Sequence, residues 1–356
     1  MNGKPDIAIY LHHPPEFAAR SGFPALLELL GAKPVFYDIA WEKLQKRSWT
    51  AGQWLRRAGI RWSGSAWNAA VPLWDDFRFL ANAPRGEHAV AHFLWGEFAM
   101  PKWPSLFHRR GAAVVGTFHC SARRQRDVLA GVKSFAGFDR ISVVSKTQIP
   151  FFVERGFPAE KIDVILLGVD VEHFRPGAYE PKADGPLRCL LVGFTERDNE
   201  FMAEIMKSVP ADVAELSVRT SRSDEVFYRG IPNVKVLPYL PDAELLRLYQ
   251  QSDLVVMPML DCTANDALLE IMACGTPVLT NRVGGIPEYV SGECNFVTDG
   301  KNTDEWRGLL HRLSANRSEL WNRRPAVRAW AETFAWQNIV PQFHEFYRKA
   351  LAARRA

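Results

Sequence analysis

Short apolar runs recur along the chain. Each ends in a small polar or glycine-bearing loop and is followed by residues at helical spacing. In the first half, runs at 7–11, 34–37, 87–93, 112–118 and 161–165 predict buried strands, and one starting at 138 passes into a helix capped by Ser145. In the second half the runs lie at 187–192, 214–218, 234–239, 253–257 and 278–281. Between them, helices are predicted from Gly22 through Leu30, over 242–250 with Leu245, Leu246 and Tyr249 on one face, over 267–274, and over 302–313. Gly31 and Gly275 stand where the first and third of these end, and Pro277 bars continuation of the third. A stretch rich in Pro, Gly and charge, 177–186, separates the two series. Strand–helix alternation on both sides of a linker predicts an α/β protein with two doubly wound domains, 1–176 and 187–339, around a cleft.

Length agrees, since 356 residues suffice for two ordinary domains, and a 47% hydrophobic fraction supplies their cores. The net charge of +4 suits a phosphorylated ligand or an anionic surface. No nucleic-acid-binding signature appears, so no nucleic-acid partner is expected. Five cysteines, an odd number with no C-x-x-C pair, point to reduced thiols. The first residues lack the apolar core of a signal peptide, and no run is long enough to cross a bilayer, so a cytoplasmic protein is expected. Residues 41–62 change this picture. They hold Trp41, Trp49, Trp54 and Trp62 with six Lys or Arg against one acid, Glu42. That composition fits either a segment lying on the inner face of a membrane or a helical excursion whose tryptophans pack on the first domain.

The candidate chemistry gathers in 261–288. There a strand, a polar loop, a helix start, a second strand and the Gly284-Gly285 pair follow one another, an order that offers backbone N–H groups to an anion. Glu270 lies one turn inside the helix among Leu268, Leu269, Ile271 and Met272, so a ligand or a basic residue is expected to meet its charge. His119 stands just past a buried strand, where open α/β sheets place ligands, or alternatively serves as a core histidine. Arg197, shortly after Gly193, is either a phosphate ligand or a surface charge at a helix start.

Glu270 with Met272-Ala273-Cys274-Gly275-Thr276-Pro277-Val278 resembles the C-terminal signature of the group 1 (family 4) glycosyltransferases. Gly168-Val169-Asp170 with Phe174, Arg175 and Pro176 is similar to that family's interdomain phrase, and Phe334-Ala335-Trp336 to the residues before its last helix. The resemblance implies a GT-B fold of two Rossmann-like domains facing a cleft, with the last helix, 340–356, packed back on the first domain. It implies a retaining, metal-independent transfer of sugar from a nucleotide-sugar donor, with no other cofactor, to a sugar, lipid-linked or small-molecule acceptor on the first domain. In that reading His119 faces the transferred sugar and Glu270 holds the ribose. Tyr239 flanks the base, and Gly193, Arg197, Asn265, Ala267 and Leu268 surround the diphosphate. The chain departs from the family in four places. Cys262 stands where a first glutamate is expected, the backbone of the Cys262–Asp266 loop keeping part of the donor-sugar contact. Asn265 replaces a loop glycine, whose left-handed turn it would preserve. No Arg directly follows Gly193, no Lys lies in its loop, and Arg219-Thr220-Ser221-Arg222 occupies a stretch where the family has glycines. The alternatives are another GT-B enzyme such as an epimerase, or a non-catalytic nucleotide-sugar-binding relative.

Overall fold

The computed structural model describes residues 5–11, 22–36, 79–97, 104–132 and 134–355, so the 41–62 segment lies outside the described residues. The fold is α/β, in two compact units.

The first unit holds six parallel strands: β1 (Asp6–Leu11), β2 (Lys33–Phe36), β3 (Ala89–Phe93), β4 (Ala113–Phe118), β5 (Arg140–Val143) and β6 (Ile162–Val164). Their order is β2-β1-β3-β4-β5-β6. Every residue of β3 and β4 is buried, as strands covered on both faces require. One side of this sheet packs a cluster of aromatic rings that includes Tyr10, Phe93, Phe118, Phe135 and Phe152. The chain from Gln337 on also belongs to this unit. It forms most of the helix Trp336–Arg355, which starts earlier than the hydrophobic pattern suggests and carries Pro341 inside.

Polar groups fasten that helix to the sheet. His92 on β3 lies 2.9 Å from the Tyr347 hydroxyl through Nδ1 and 2.7 Å from Thr117 Oγ1 through Nε2. Thr117 continues to Ser142 on β5 at 2.6 Å. All four side chains are fully buried, and burial lowers the His92 pKa to about 3. An unfolded chain protonates His92 near 6.5, so the folded state loses stability as pH falls from about 6.5 toward 3. Between pH 7 and 4.5 this one group should cost about 2 kcal/mol, since each pH unit is worth about 1.4 kcal/mol. Urea unfolding at both pH values, on the wild type and on His92→Asn, checks this. The variant should be less stable at pH 7 and show a shallower acid loss. An equal loss in both would assign the acid sensitivity to other groups.

The second unit, Leu167–Trp336, holds β7 (Leu187–Val192), β8 (Ala214–Arg219), β9 (Val234–Val236), β10 (Leu254–Met257), β11 (Val278–Asn281) and β12 (Phe296–Thr298). These strands are also parallel, in the order β12-β11-β10-β7-β8-β9. The first unit was expected to extend to Pro176, but 167–176 belongs here, because its backbone is bound within this unit. Leu167 N donates to the Tyr289 hydroxyl at 2.9 Å, Val169 bridges Ala335, and Gly168 leaves no room for a side chain beside the Trp336 ring. Arg328 donates to the Phe174 carbonyl at 2.7 Å and the Val171 carbonyl at 3.0 Å. Arg328 sits on the helix Ser318–Glu332, which carries Pro325 inside, a residue that reads as a helix breaker in the sequence.

Candidate functional site

In the second sheet strand order reverses between β7 and β10, and the crevice outside the carboxyl ends of such a strand pair is where open α/β sheets bind ligands. The loops after these two strands pair with each other. Asp198 N donates to the Pro258 carbonyl at 2.8 Å and Leu260 N to the Glu196 carbonyl at 2.9 Å. Arg197 and Met259 form an antiparallel bridge. Gly193 opens the first loop at φ 107°, a conformation only glycine adopts readily, and its open face is filled by the Arg197 guanidinium.

Arg197 is half-buried, and its guanidinium is turned onto acceptors within the protein. Its Nε donates to the Val192 carbonyl at 3.1 Å, Nη1 to the Thr195 carbonyl at 2.7 Å and Nη2 to Asn265 Oδ1 at 3.1 Å. Burial pushes its pKa down, with Cys262, Tyr249 and Asp266 acting the other way, yet a guanidinium stays charged. Asn265 also departs from expectation. It is extended, at φ −146°, not left-handed, and caps the helix Asp266–Ala273 by accepting from Leu268 N at 3.4 Å. Asparagine is there because its oxygen serves Arg197 and the helix start together. The Leu268 N–H is therefore engaged within the protein, while half-buried Ala267 lies one residue inside the helix start. Asp266 places an exposed acid in that first turn.

Cys262 faces inward. Its N–H donates to Asp261 Oδ1 at 2.8 Å and its carbonyl accepts from Gly285 N at 2.7 Å. A side chain at Gly284 would collide with that carbonyl, which explains the glycine there. The N–H and carbonyl of Cys262 itself are thus both engaged within the protein. Burial pushes its thiol up to about 12, although Arg197 pulls the other way. Thiolate is the reactive form, so iodoacetamide at pH 7.5 should leave Cys262 unmodified in the native protein. Peptide mapping with and without denaturant measures this, and rapid native labelling of Cys262 would contradict its burial.

Glu270 is 5% exposed. The partner expected for it was a ligand or a base, and within the protein it is Tyr249, whose hydroxyl donates to the carboxylate. Burial, and then that carboxylate, push the Tyr249 phenol well above its ordinary value. Tyr249 is itself held in place, its carbonyl accepting from Thr276 Oγ1 at 2.5 Å. The Glu270 helix closes at Gly275, where Thr276 N donates to the Ile271 carbonyl at 3.2 Å. Arg328 donates to the Ala273 carbonyl at 2.6 Å, a cation placed at the negative end of the helix. Tyr239 follows β9 and is 73% exposed, with the Arg219 guanidinium 5.2 Å from its ring.

In the first unit strand order reverses between β1 and β3, and the groups past β3 and β4 form a second cluster. The His119 ring lies tilted against Trp95, centroids 4.1 Å apart, and edge-on at 4.8 Å to Phe23. Its Nδ1 lies 3.8 Å from Glu97 Oε2. Glu97 is fully buried, and its other oxygen accepts the backbone N–H groups of His119 and Cys120. A carboxylate taking two main-chain donors fixes the loop after β4 and the imidazole with it. Glu97 escaped the sequence reading because nothing about a lone glutamate after a strand tells it from a surface one. Among the described residues no group of acids, histidines and cysteines is arranged to hold a metal ion.

The profile of the family described as Glycosyl transferases group 1 matches residues 186–316. The D-inositol 3-phosphate glycosyltransferase of Corynebacterium urealyticum is 25% identical over 226 residues, 55% of this chain and 53% of that protein. The MMP alpha-(1->4)-mannosyltransferase of Mycolicibacterium hassiacum is 25% identical over 286 residues, 68% and 67% of the two chains. The chain spans about half the length of the D-inositol 3-phosphate glycosyltransferases it matches. Among solved structures, Anabaena Alr3699/HepE in complex with UDP-glucose superimposes with a TM-score of 0.68 at 14% identity, covering 96% of this chain and 98% of that one. Anabaena Alr3699/HepE with UDP and glucose gives 0.64 at 13%, with the same coverage. The fold is GT-B, and residues 186–316, which carry Arg197, Asn265 and Glu270, match the glycosyl transferases group 1.

Proposed function

We propose that this chain transfers a sugar from a nucleotide-sugar donor to an acceptor with retention of configuration and without a bound metal. The observation that carries the proposal is the buried Glu270 carboxylate, oriented by Tyr249 on the helix that follows β10 at the strand-order reversal. A carboxylate fixed there accepts from two vicinal hydroxyls, the pattern a ribose presents. Tyr239 offers an exposed ring to a base, and the turn at Gly193 offers close backbone approach to a diphosphate. As the bond to the leaving diphosphate breaks, negative charge grows on it, and fixed cations and N–H groups stabilise that charge. UDP is the first nucleotide to try, because Anabaena Alr3699/HepE is bound to UDP-glucose. The inward turn of Cys262 favours a second reading, a relative that binds nucleotide sugar without turning it over.

Thermal-shift measurements with UDP, GDP, ADP and their glucose and mannose conjugates test the binding half, since a ligand that binds only the native state raises its melting temperature. No shift with any of them would reject both readings. His119→Ala tests the catalytic half. Turnover should fall at least tenfold while nucleoside diphosphate affinity stays within twofold, an effect of about 1.4 kcal/mol on the transition state alone. Unchanged turnover in a folded variant would leave His119 a packing residue between Trp95 and Phe23.

A further inference from the structure

Arg197 is hydrogen-bonded to protein acceptors through all three guanidinium nitrogens, so a different cation is needed for the diphosphate. Of the other cations that follow strands at the carboxyl edge of this sheet, Arg282 is paired with Asp299 and Lys301 with Asp198, while Arg222 is exposed. The helix start after β10 carries Asp266, whose charge opposes a phosphate.

Arg219 differs from all of these. It ends β8, in register with Val192 at the end of β7, and its carbonyl accepts the Gly193 N–H at 3.1 Å. Its side chain therefore leaves the sheet beside the Gly193 turn. The guanidinium lies 4.8 Å from the Phe194 ring and 5.2 Å from the Tyr239 ring, and both rings are exposed. Among the described residues it has no carboxylate partner, and its buried Nε–H has no acceptor. A guanidinium stacked on ring faces keeps its N–H edge for an acceptor in the ring plane, which suits phosphate oxygens.

We infer that Arg219 binds the phosphate groups of the nucleotide, supplying from β8 the charge that the loop after β7 lacks. This rests on the nucleotide-sugar reading above. Phe194 and Tyr239 hold the guanidinium in position and are not themselves phosphate ligands.

Calorimetric titration with uridine, UMP and UDP separates this role from base stacking. Wild type, Arg219→Gln and Arg219→Lys are compared, each with its melting temperature recorded. For Arg219→Gln the UDP affinity should fall about ten- to hundredfold, the range for hydrogen bonds to charged groups. UMP should lose less and uridine less than about twofold, and Arg219→Lys should recover part of the UDP affinity through its charge. An equal loss for uridine and UDP would overturn the inference and make Arg219 a support for the aromatic rings. Unchanged UDP affinity would also overturn it. If wild type binds none of UDP, GDP and ADP, the nucleotide reading itself fails, which is a separate outcome seen before any variant is made.

Discussion

Glu270→Gln should weaken nucleoside diphosphate binding by about 1.5–3 kcal/mol, the range for hydrogen bonds to charged groups, and leave the fold intact. Glutamine keeps the shape and one acceptor oxygen. Tyr249 can still donate to it, so the buried phenol is not stranded. Alanine would strand that phenol and confuse a binding effect with a folding one. What glutamine lacks is the charge that strengthens bonds from two ribose hydroxyls. A 2′,3′-dideoxy nucleotide lacks those hydroxyls, so the substitution should cost little against it. Calorimetry on both proteins with both ligands gives the double-mutant cycle. Equal losses for ribose and dideoxyribose would remove the ribose from Glu270.

Arg197→Ala should destabilise the second unit by about 1–3 kcal/mol, because a partly buried hydrogen-bond network loses its centre. The Val192 and Thr195 carbonyls and Asn265 Oδ1 all lose their donor. Asn265 also caps the helix that carries Glu270, so the loss extends to the site. For a unit of this size the melting temperature should fall by roughly 5–10 °C. Arg197→Lys should recover little, since one ammonium cannot span three acceptors set by a planar fork. A surface or phosphate-gripping arginine would behave differently, with the melting temperature unchanged in the absence of nucleotide. Thermal unfolding of the ligand-free proteins therefore decides which role Arg197 has.

Strand and helix order was legible from the sequence because both sheets are parallel and buried, so their strands read as continuous apolar runs bounded by Gly, Pro and small polar residues. The helix end at Gly275 was legible too, since its left-handed backbone is a local property. The site was only half legible. Glu270 was found because a charge among apolar residues is conspicuous. Its partner Tyr249 was not, because that pairing joins two helices and leaves no local trace. Arg197 was read as a phosphate ligand or a surface charge and Asn265 as part of the diphosphate loop, and their bond to each other, between loops 68 positions apart, left no local trace. Glu97 and Arg219 went unassigned for the same reason. Each takes its meaning from a neighbouring strand, His119 past β4 for the one and Phe194 past β7 for the other.

The most direct test of the account is turnover itself, followed by proton NMR on the native chain with UDP-glucose, GDP-mannose and ADP-glucose, each with and without a candidate acceptor. The account predicts that one donor releases its nucleoside diphosphate and that the new anomeric proton keeps the donor's configuration. Release with inversion would contradict the retaining reading. A donor that raises the melting temperature yet is never consumed would make this chain a binder of nucleotide sugar and contradict the proposed transfer.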